Sequence, residues 1–173
     1  TNINKALSMG LEGFVVNIYN DDLGEQFELL DMGYMLAMTS SPEVNNYAVR
    51  RYQKDFGENG TFRLITPDEL KRPTSDRPKG GLLALKDDFL NLNEVARDYP
   101  EVHEVTLENQ QQIEEKIEEL TNIRKSIPLF IKDITGEIHI ITSNLEELKL
   151  PDGELILVYM GKELPAPVTE PAS

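Results

Sequence analysis

Ser41-Pro42 and Gly57 bracket a stretch whose apolar residues recur every four positions, and an apolar run lies on each side of it. Ser41 is placed to cap a helix and Pro42 to occupy its first turn. Val44, Ala48, Tyr52 and Phe56 share one face, and Gly57 supplies the stop. Before this helix, Tyr34-Met35-Leu36-Ala37-Met38 reads as a strand covered on both faces and ending at Thr39. After it, the Asn59-Gly60 turn leads into a strand at Phe62-Arg63-Leu64-Ile65. Strand, capped helix and strand in this order are the signature of a βαβ unit, which places the chain in the α/β class.

The same alternation extends upstream. Ile3, Leu7 and Gly10 predict a short closed helix, and Gly13-Phe14-Val15-Val16-Asn17-Ile18 a strand. Asp21 or Asp22 is then expected to cap a helix with Phe27, Leu29 and Leu30 inward. Between residues 67 and 81, Pro67, Pro73, Pro78, Gly80 and Gly81 fall among charges, the composition of a linker between a unit at 1–66 and a smaller α+β module at 82–162.

That module opens with a short strand at residues 82–85. A helix capped by Asp87 or Asp88 follows, with Phe89, Leu92, Val95 and Ala96 inward, ending at Tyr99-Pro100. A strand over 102–105 precedes an amphipathic helix within 107–125, where Ile113, Ile117, Leu120 and Ile123 form a stripe opposite Glu114, Glu115, Glu118 and Glu119, with Arg124 and Lys125 in its last turn. The stripe suits either a seam between two copies or a helix lying on its own sheet. Strands at 127–132, 137–142 and 154–160, a short helix at 144–148 and a Pro151-Asp152-Gly153 turn complete the β-rich end, before a tail at 163–173 expected to be disordered.

Composition narrows the chemistry. The chain has no cysteine, which removes disulfides, thiolate nucleophiles and cysteine-bound metals and suits a reducing compartment. A formal charge of −14 opposes phosphate backbones and argues against nucleic acid as a partner. No apolar run approaches the roughly eighteen residues that cross a bilayer, and the start lacks the regions of a secretory signal, so the expectation is a soluble chain. It opens at Thr1 rather than Met, already in a helical pattern, as an excised piece of a larger protein would.

No set of residues is recognisable as catalytic. His103 and His139 fall in different expected strands with no nearby acid at ligand spacing, so both read as structural, His139 facing solvent or a sheet face, and no metal site is expected. The serines lack a G-x-S-x-G turn. The pairs Asp21-Asp22, Asp87-Asp88 and Glu114-Glu115 read as helix caps and solvated charge, with no twelve-residue calcium loop around them. Neither G-x-G-x-x-G nor G-x-x-x-x-G-K-[ST] occurs, so a complete dinucleotide site is not expected. What remains is the run Met38-Thr39-Ser40-Ser41 at a helix N-terminus, which suits an anion or simply the cap made by Ser41.

The stretch Leu36-Ala37-Met38-Thr39-Ser40-Ser41-Pro42-Glu43-Val44-Asn45, continued through Tyr47-Ala48 to Asp55-Phe56-Gly57 and Phe62-Arg63-Leu64, resembles the "lAlT-x-x-x-E-x-N … fG … L" pattern. That pattern belongs to the Rossmann-type regulatory domain of bacterial monovalent cation:proton antiporters, the RCK or TrkA-N type also attached to potassium channels and Trk uptake systems. The resemblance covers residues 1–65. It implies a partial Rossmann-like, three-layer unit that starts after the family's glycine-rich loop and ribose-binding acid.

By position in that family, Asn17, Thr39, Ser40 and Asn45 would touch nucleotide. No cofactor is expected in the fragment, with NAD or an adenine nucleotide in a full-length domain. Gly136-Glu137-Ile138-His139-Ile140, Leu150, Asp152-Gly153-Glu154 and Leu155-Ile156-Leu157-Val158 are similar in outline to the β-rich module that follows such domains.

The resemblance implies a non-catalytic regulatory or assembly domain at the cytoplasmic face of the inner membrane. Its partners would be a transmembrane antiporter domain of the same polypeptide and a second copy of itself. A substrate-side fragment of a nucleotide-dependent oxidoreductase and a plain interaction module are the other readings. Because the missing strands would leave a gap in a Rossmann order, residues 14–18 are expected to pair beside 34–39 or to exchange between two copies.

Overall fold

The computed structural model describes residues 2–20, 33–83, 89–123 and 125–164. Helix α1 spans Asn2–Ser8 and ends at Gly10 (φ 78°), where Gly10 N–H reaches Leu7 O and Leu11 N–H reaches Ala6 O, closing the carbonyls of the last turn. Strand β1 is Met35–Ala37, α2 Pro42–Phe56 and β2 Thr61–Leu64. Ser41 caps α2 by accepting from Val44 N–H at 3.2 Å, and Gly57 (φ 75°) ends it, as the sequence predicts.

Next come the one-turn helix α3 (Pro67–Leu70), a 3₁₀ turn at Thr74–Asp76 and strand β3 (Gly81–Leu82). β1, β2 and β3 form a parallel sheet in that order. Helix α4 (Phe89–Asp98), β4 (Val102–Leu107), α5 (Gln110–Asn122), β5 (Ser126–Asp133), β6 (Ile138–Ile140) and β7 (Leu155–Gly161) complete the chain, with a 3₁₀ turn at Leu145–Glu147. The last four strands make an antiparallel sheet ordered β4-β7-β5-β6. The fold is thus mixed α/β, with one parallel and one antiparallel sheet.

Both faces of the antiparallel sheet are covered. On one, Ile113, Ile117 and Leu120 of α5 pack with Ile131, Ile141, Leu155, Leu157 and Tyr159. On the other, Ile127 joins Val95 of α4 and Phe62, Leu64, Leu82 and Leu83 of the parallel unit in a shared core. A β-bulge makes this possible. Pro128 faces Tyr159 whereas Phe130 faces Val158, so the alternation of β5 inverts between Ile127, which points to the shared core, and Ile131, which points to α5. Proline suits the bulge because the ladder there asks no N–H of it.

Several expectations are corrected. Residues 13–18 form no strand and β1 has no such neighbour. Val15 is 89% exposed, and the segment instead rests Gly13 on Ile3 and Ala6 and Tyr19 on Tyr47, with ring centroids 4.6 Å apart. β-Branched residues favour strands only where a partner backbone completes the ladder.

β1 is covered on one face, not two: Ala37 is buried while Leu36 is 45% exposed. Ala96 is exposed on α4. Ile113, Ile117 and Leu120 are fully buried and Ile123 half-buried, so the stripe read as a possible seam fills this chain's own core.

The segment at 67–81, proline- and glycine-rich as a linker is, carries ordered elements. Arg63 on β2 forks onto Glu69 of α3 at 2.9 and 2.7 Å, and Glu69 also closes a capping box with Thr66. The expected caps Asp21, Asp22, Asp87 and Asp88, the helix with Phe27, Leu29 and Leu30, residues 84–85, Arg124 and the tail from 165 lie outside the described residues.

The Glu69 carboxyl is lowered from 4.5 to about 2, chiefly by the Arg63 guanidinium. Its stabilising contribution is present above its ordinary value and is lost as pH falls through the folded one. At pH 7, Glu69→Gln is expected to lower stability by roughly 2 kcal/mol, between an exposed and a fully buried pair. In urea melts, the gap between variant and parent should close as pH falls from about 4.5 towards 2. For the core, Ile117→Glu is expected to abolish cooperative unfolding, because a carboxylate would sit in a fully apolar site. A folded variant of halved mass in sedimentation would instead identify a seam.

Candidate functional site

Two concave regions lie at opposite ends of the parallel sheet. At the carboxyl ends of β1 and β2 is a cavity of about 300 Å³, bounded by Thr39-Ser40 and Asn45 on one side, Ile65-Thr66-Pro67 on another and Phe89 and Leu90 of α4 on the third. The outer crevice at strand carboxyl ends is where open parallel sheets take ligands, because the loops there are free to shape a site while the sheet holds them still.

The sequence-predicted residues Thr39, Ser40 and Asn45 meet here, but Asn45 and Thr39 hold each other. The Asn45 Oδ1 accepts from Thr39 N–H at 2.9 Å and from the Thr39 hydroxyl at 2.7 Å, while Asn45 Nδ2 donates to Thr39 O at 2.9 Å. With Asn45 only 2% exposed, this amide fixes the turn from β1 into α2. Ser40 is exposed near the cavity mouth.

The α2 N-terminus already has an anion. Ser41 Oγ donates to Glu43 Oε2 at 3.0 Å, and the Glu43 backbone N–H together with that hydroxyl holds the Glu43 carboxyl below its ordinary value. Of the two readings of this helix end, the geometry displays the cap. Asn17 is apart from the cavity: its Oδ1 accepts from Tyr19 N–H at 3.1 Å, ordering an exposed turn.

At the amino ends of the parallel strands lies a larger groove of about 740 Å³, between the parallel unit and the β5–β6 hairpin. Tyr34, Phe62 and Lys79 line one wall, and Glu137, His139 and Lys149 the other. Tyr34 Oη donates across it to Ile138 O at 2.8 Å.

Beside the groove, Asp133 ends β5 and organises the hairpin turn. Its Oδ1 accepts from Thr135 N–H at 2.8 Å, Thr135 Oγ1 at 2.7 Å and Glu137 N–H at 3.0 Å; its Oδ2 lies 3.0 Å from His139 Nε2. Gly136 takes the left-handed corner at φ 86°. The Thr135 hydroxyl, then His139, hold the Asp133 carboxyl well below the usual carboxylate range.

Asp133, Glu137 and His139 offer donor atoms that all lie within 4.8 Å of one another. This corrects the expectation that His139 turns to solvent or a bare sheet face without a nearby acid. The signal was present as Asp-x-x-x-Glu-x-His: the hairpin sets Ile131 opposite His139, which carries Asp133 to the same end, and Glu137 sits just before β6, two residues from His139. Spacing rules drawn from helices do not see it. His103 is bonded through Nε2 to Gly161 O at 3.0 Å and stacked on Tyr159.

Among the described residues no helix is long and apolar enough to cross a membrane. Comparison with protein-family models, curated proteins and solved structures finds no match for this chain.

Replacing Asn45 by alanine strands the Thr39 amide and carbonyl beneath α2. Asn45→Ala is expected to cost about 1–3 kcal/mol in urea unfolding. Asn45→Asp should not restore the full stability, since it keeps the acceptor but loses the donor to Thr39 O.

Proposed function

We propose that the chain is a non-catalytic regulatory unit that senses an adenine-containing ligand in the cavity at the carboxyl ends of β1 and β2, and that it serves a membrane monovalent cation:proton antiporter of the same polypeptide. The observation that carries the sensing role is the cavity's position and lining. It opens at the end of a parallel sheet, one wall is apolar (Ile65, Phe89, Leu90), and the polar groups on the opposite wall are held in place by Asn45. Such a cavity suits a planar base more than a phosphate, because Glu43 already occupies the charge-favoured end of α2.

The antiporter context and the partial Rossmann-like identity rest on the pattern from Leu36 to Asn45, which falls on β1, its turn and the start of α2. Regulation then follows from differential affinity: a ligand that prefers one arrangement of the unit shifts its population and, through self-association, the transporter. The oxidoreductase reading gains no support from the cavity, since among the described residues that line it none carries an acid, a base or a thiol.

Thermal melts with AMP, ATP, NADH and cyclic dinucleotides test the reading. A ligand at one hundred times its Kd adds about 2.7 kcal/mol, which raises the midpoint by roughly 5–10 °C for a chain of this size. Leu90→Glu places a charge on the apolar wall at an exposed position, so it should erase the shift while leaving the unliganded midpoint within about 2 °C. No shift with any nucleotide, or an equal shift in the variant, would overturn the proposal.

A further inference from the structure

The β5–β6 hairpin places three metal-ligating side chains at the wall of the amino-end groove, away from the cavity assigned to nucleotide. We propose that Asp133, Glu137 and His139 bind a divalent first-row transition-metal ion.

The donor geometry supports this. Metal–oxygen and metal–nitrogen bonds of about 2.1 Å put neighbouring donor atoms about 3.0 Å apart at the right angles of an octahedron and about 3.4 Å apart in a zinc tetrahedron. Asp133 Oδ2 and His139 Nε2 are 3.0 Å apart, and the Glu137 carboxylate is within 4.8 Å of both, close enough for a rotamer change to complete one face of a coordination sphere. An ion would replace the hydrogen bond between Asp133 and His139, with the imidazole neutral and Nε2 as its lone-pair donor.

Asp133 is also oriented as a ligand. The two backbone N–H groups and the Thr135 hydroxyl all bind Oδ1, which turns Oδ2 towards His139 and fixes it there, the outer-sphere support that metal carboxylates commonly have. The turn that builds this support is short and stiff: Asp133 N–H donates to Glu137 O, Gly136 N–H donates to Asp133 O, and Gly136 has the positive φ the corner demands.

Burial is graded in the way an accessible site requires. Asp133 is buried, His139 is partly covered with 18% of its side chain exposed, and Glu137 is exposed. Glu137 and His139 both line the groove, so the remaining coordination positions face it and an ion can enter from solvent.

The donor set selects the class of ion. One imidazole and two carboxylates suit zinc, manganese, iron or cobalt, whereas magnesium and calcium prefer oxygen alone. A structural pair of Asp133 and His139 would need no third donor, yet the Glu137 carboxylate stands within 4.8 Å of both.

Isothermal titration of the chelator-treated full chain with ZnCl₂, and separately with MgCl₂, tests the proposal without reference to nucleotide. One equivalent of Zn²⁺ is expected to bind and Mg²⁺ to give no saturable heat. Glu137→Gln, at an exposed position, should retain the parent far-UV circular dichroism and weaken Zn²⁺ at least about tenfold. His139→Asn should abolish binding, and Co²⁺ should give visible d–d bands that this variant lacks.

The chain has two histidines, so His103→Gln is the control and should leave Zn²⁺ affinity unchanged. Absence of saturable Zn²⁺ binding, unchanged affinity in Glu137→Gln, or loss of binding in His103→Gln would each overturn the site. Failure here would leave the nucleotide cavity standing, and a nucleotide-silent protein that still binds Zn²⁺ would sink only the other proposal.

Discussion

Among the described residues, the two sheets are joined backbone to backbone at Leu82. Gly81 and Leu83 on either side of Leu82 exchange backbone hydrogen bonds with the chain that follows β6: Ser143 N–H donates to Gly81 O at 2.8 Å and Leu83 N–H donates to Ile141 O at 3.1 Å. This antiparallel bridge carries the edge of the parallel sheet onto the antiparallel one, and Phe62, Leu64, Leu82, Val95 and Ile127 close a common core behind it. Glycine is required at position 81, since a Cβ there would stand 2.3 Å from the Ile65 side chain and 2.9 Å from Ser143 Oγ. Leu83 then turns away with φ 66°, a conformation unfavourable for leucine that the bridge and the burial of its side chain must hold.

Much of this was legible in the sequence, for identifiable reasons. The α2 helix is written in local chemistry: a serine cap, a proline that tolerates the first turn, apolar residues at four-residue spacing and a glycine able to take positive φ. The stripe of α5 was equally plain, and its partner, the chain's own sheet, was one of the two occupants its pattern allows. What failed depended on partners remote in sequence. Val15 and Val16 have strand propensity, yet a strand exists only where another backbone receives it, and among the described residues none does. The segment at 67–81 has the composition of a linker, but Glu69 within it is tied to Arg63 of β2 through a contact that composition cannot express.

The candidate sites divide along the same line. Thr39, Ser40 and Asn45, carried over by position from the family resemblance, meet at one cavity because a single β-to-α turn holds them, though two of them serve the backbone first. Asn17, carried over by position alone, sits elsewhere because the strand that would have delivered it is not formed. Asp133, Glu137 and His139 are as close in sequence as Thr39 and Asn45 but were missed, because each reads as ordinary alone and only the register of a tight hairpin turns their side chains together.

One strand separates the two concave regions. β2 is four residues long and wholly buried; Phe62, near its amino end, lines the groove beside His139, and Leu64, at its carboxyl end, lines the cavity beside Asn45. These two side chains lie on one face of the strand and share the core that joins the sheets. Close-packed cores do not deform continuously, so a displacement of β2 large enough to be felt at both ends would have to break the Leu82 bridge or the Arg63–Glu69 fork. The two concave regions therefore sit at the ends of one rigid bar. Communication between them would require a second packing of β2 against the hairpin, with Tyr34 releasing Ile138 O as the contact most readily lost, since it is the polar tie at the groove and lies in a solvent-exposed position.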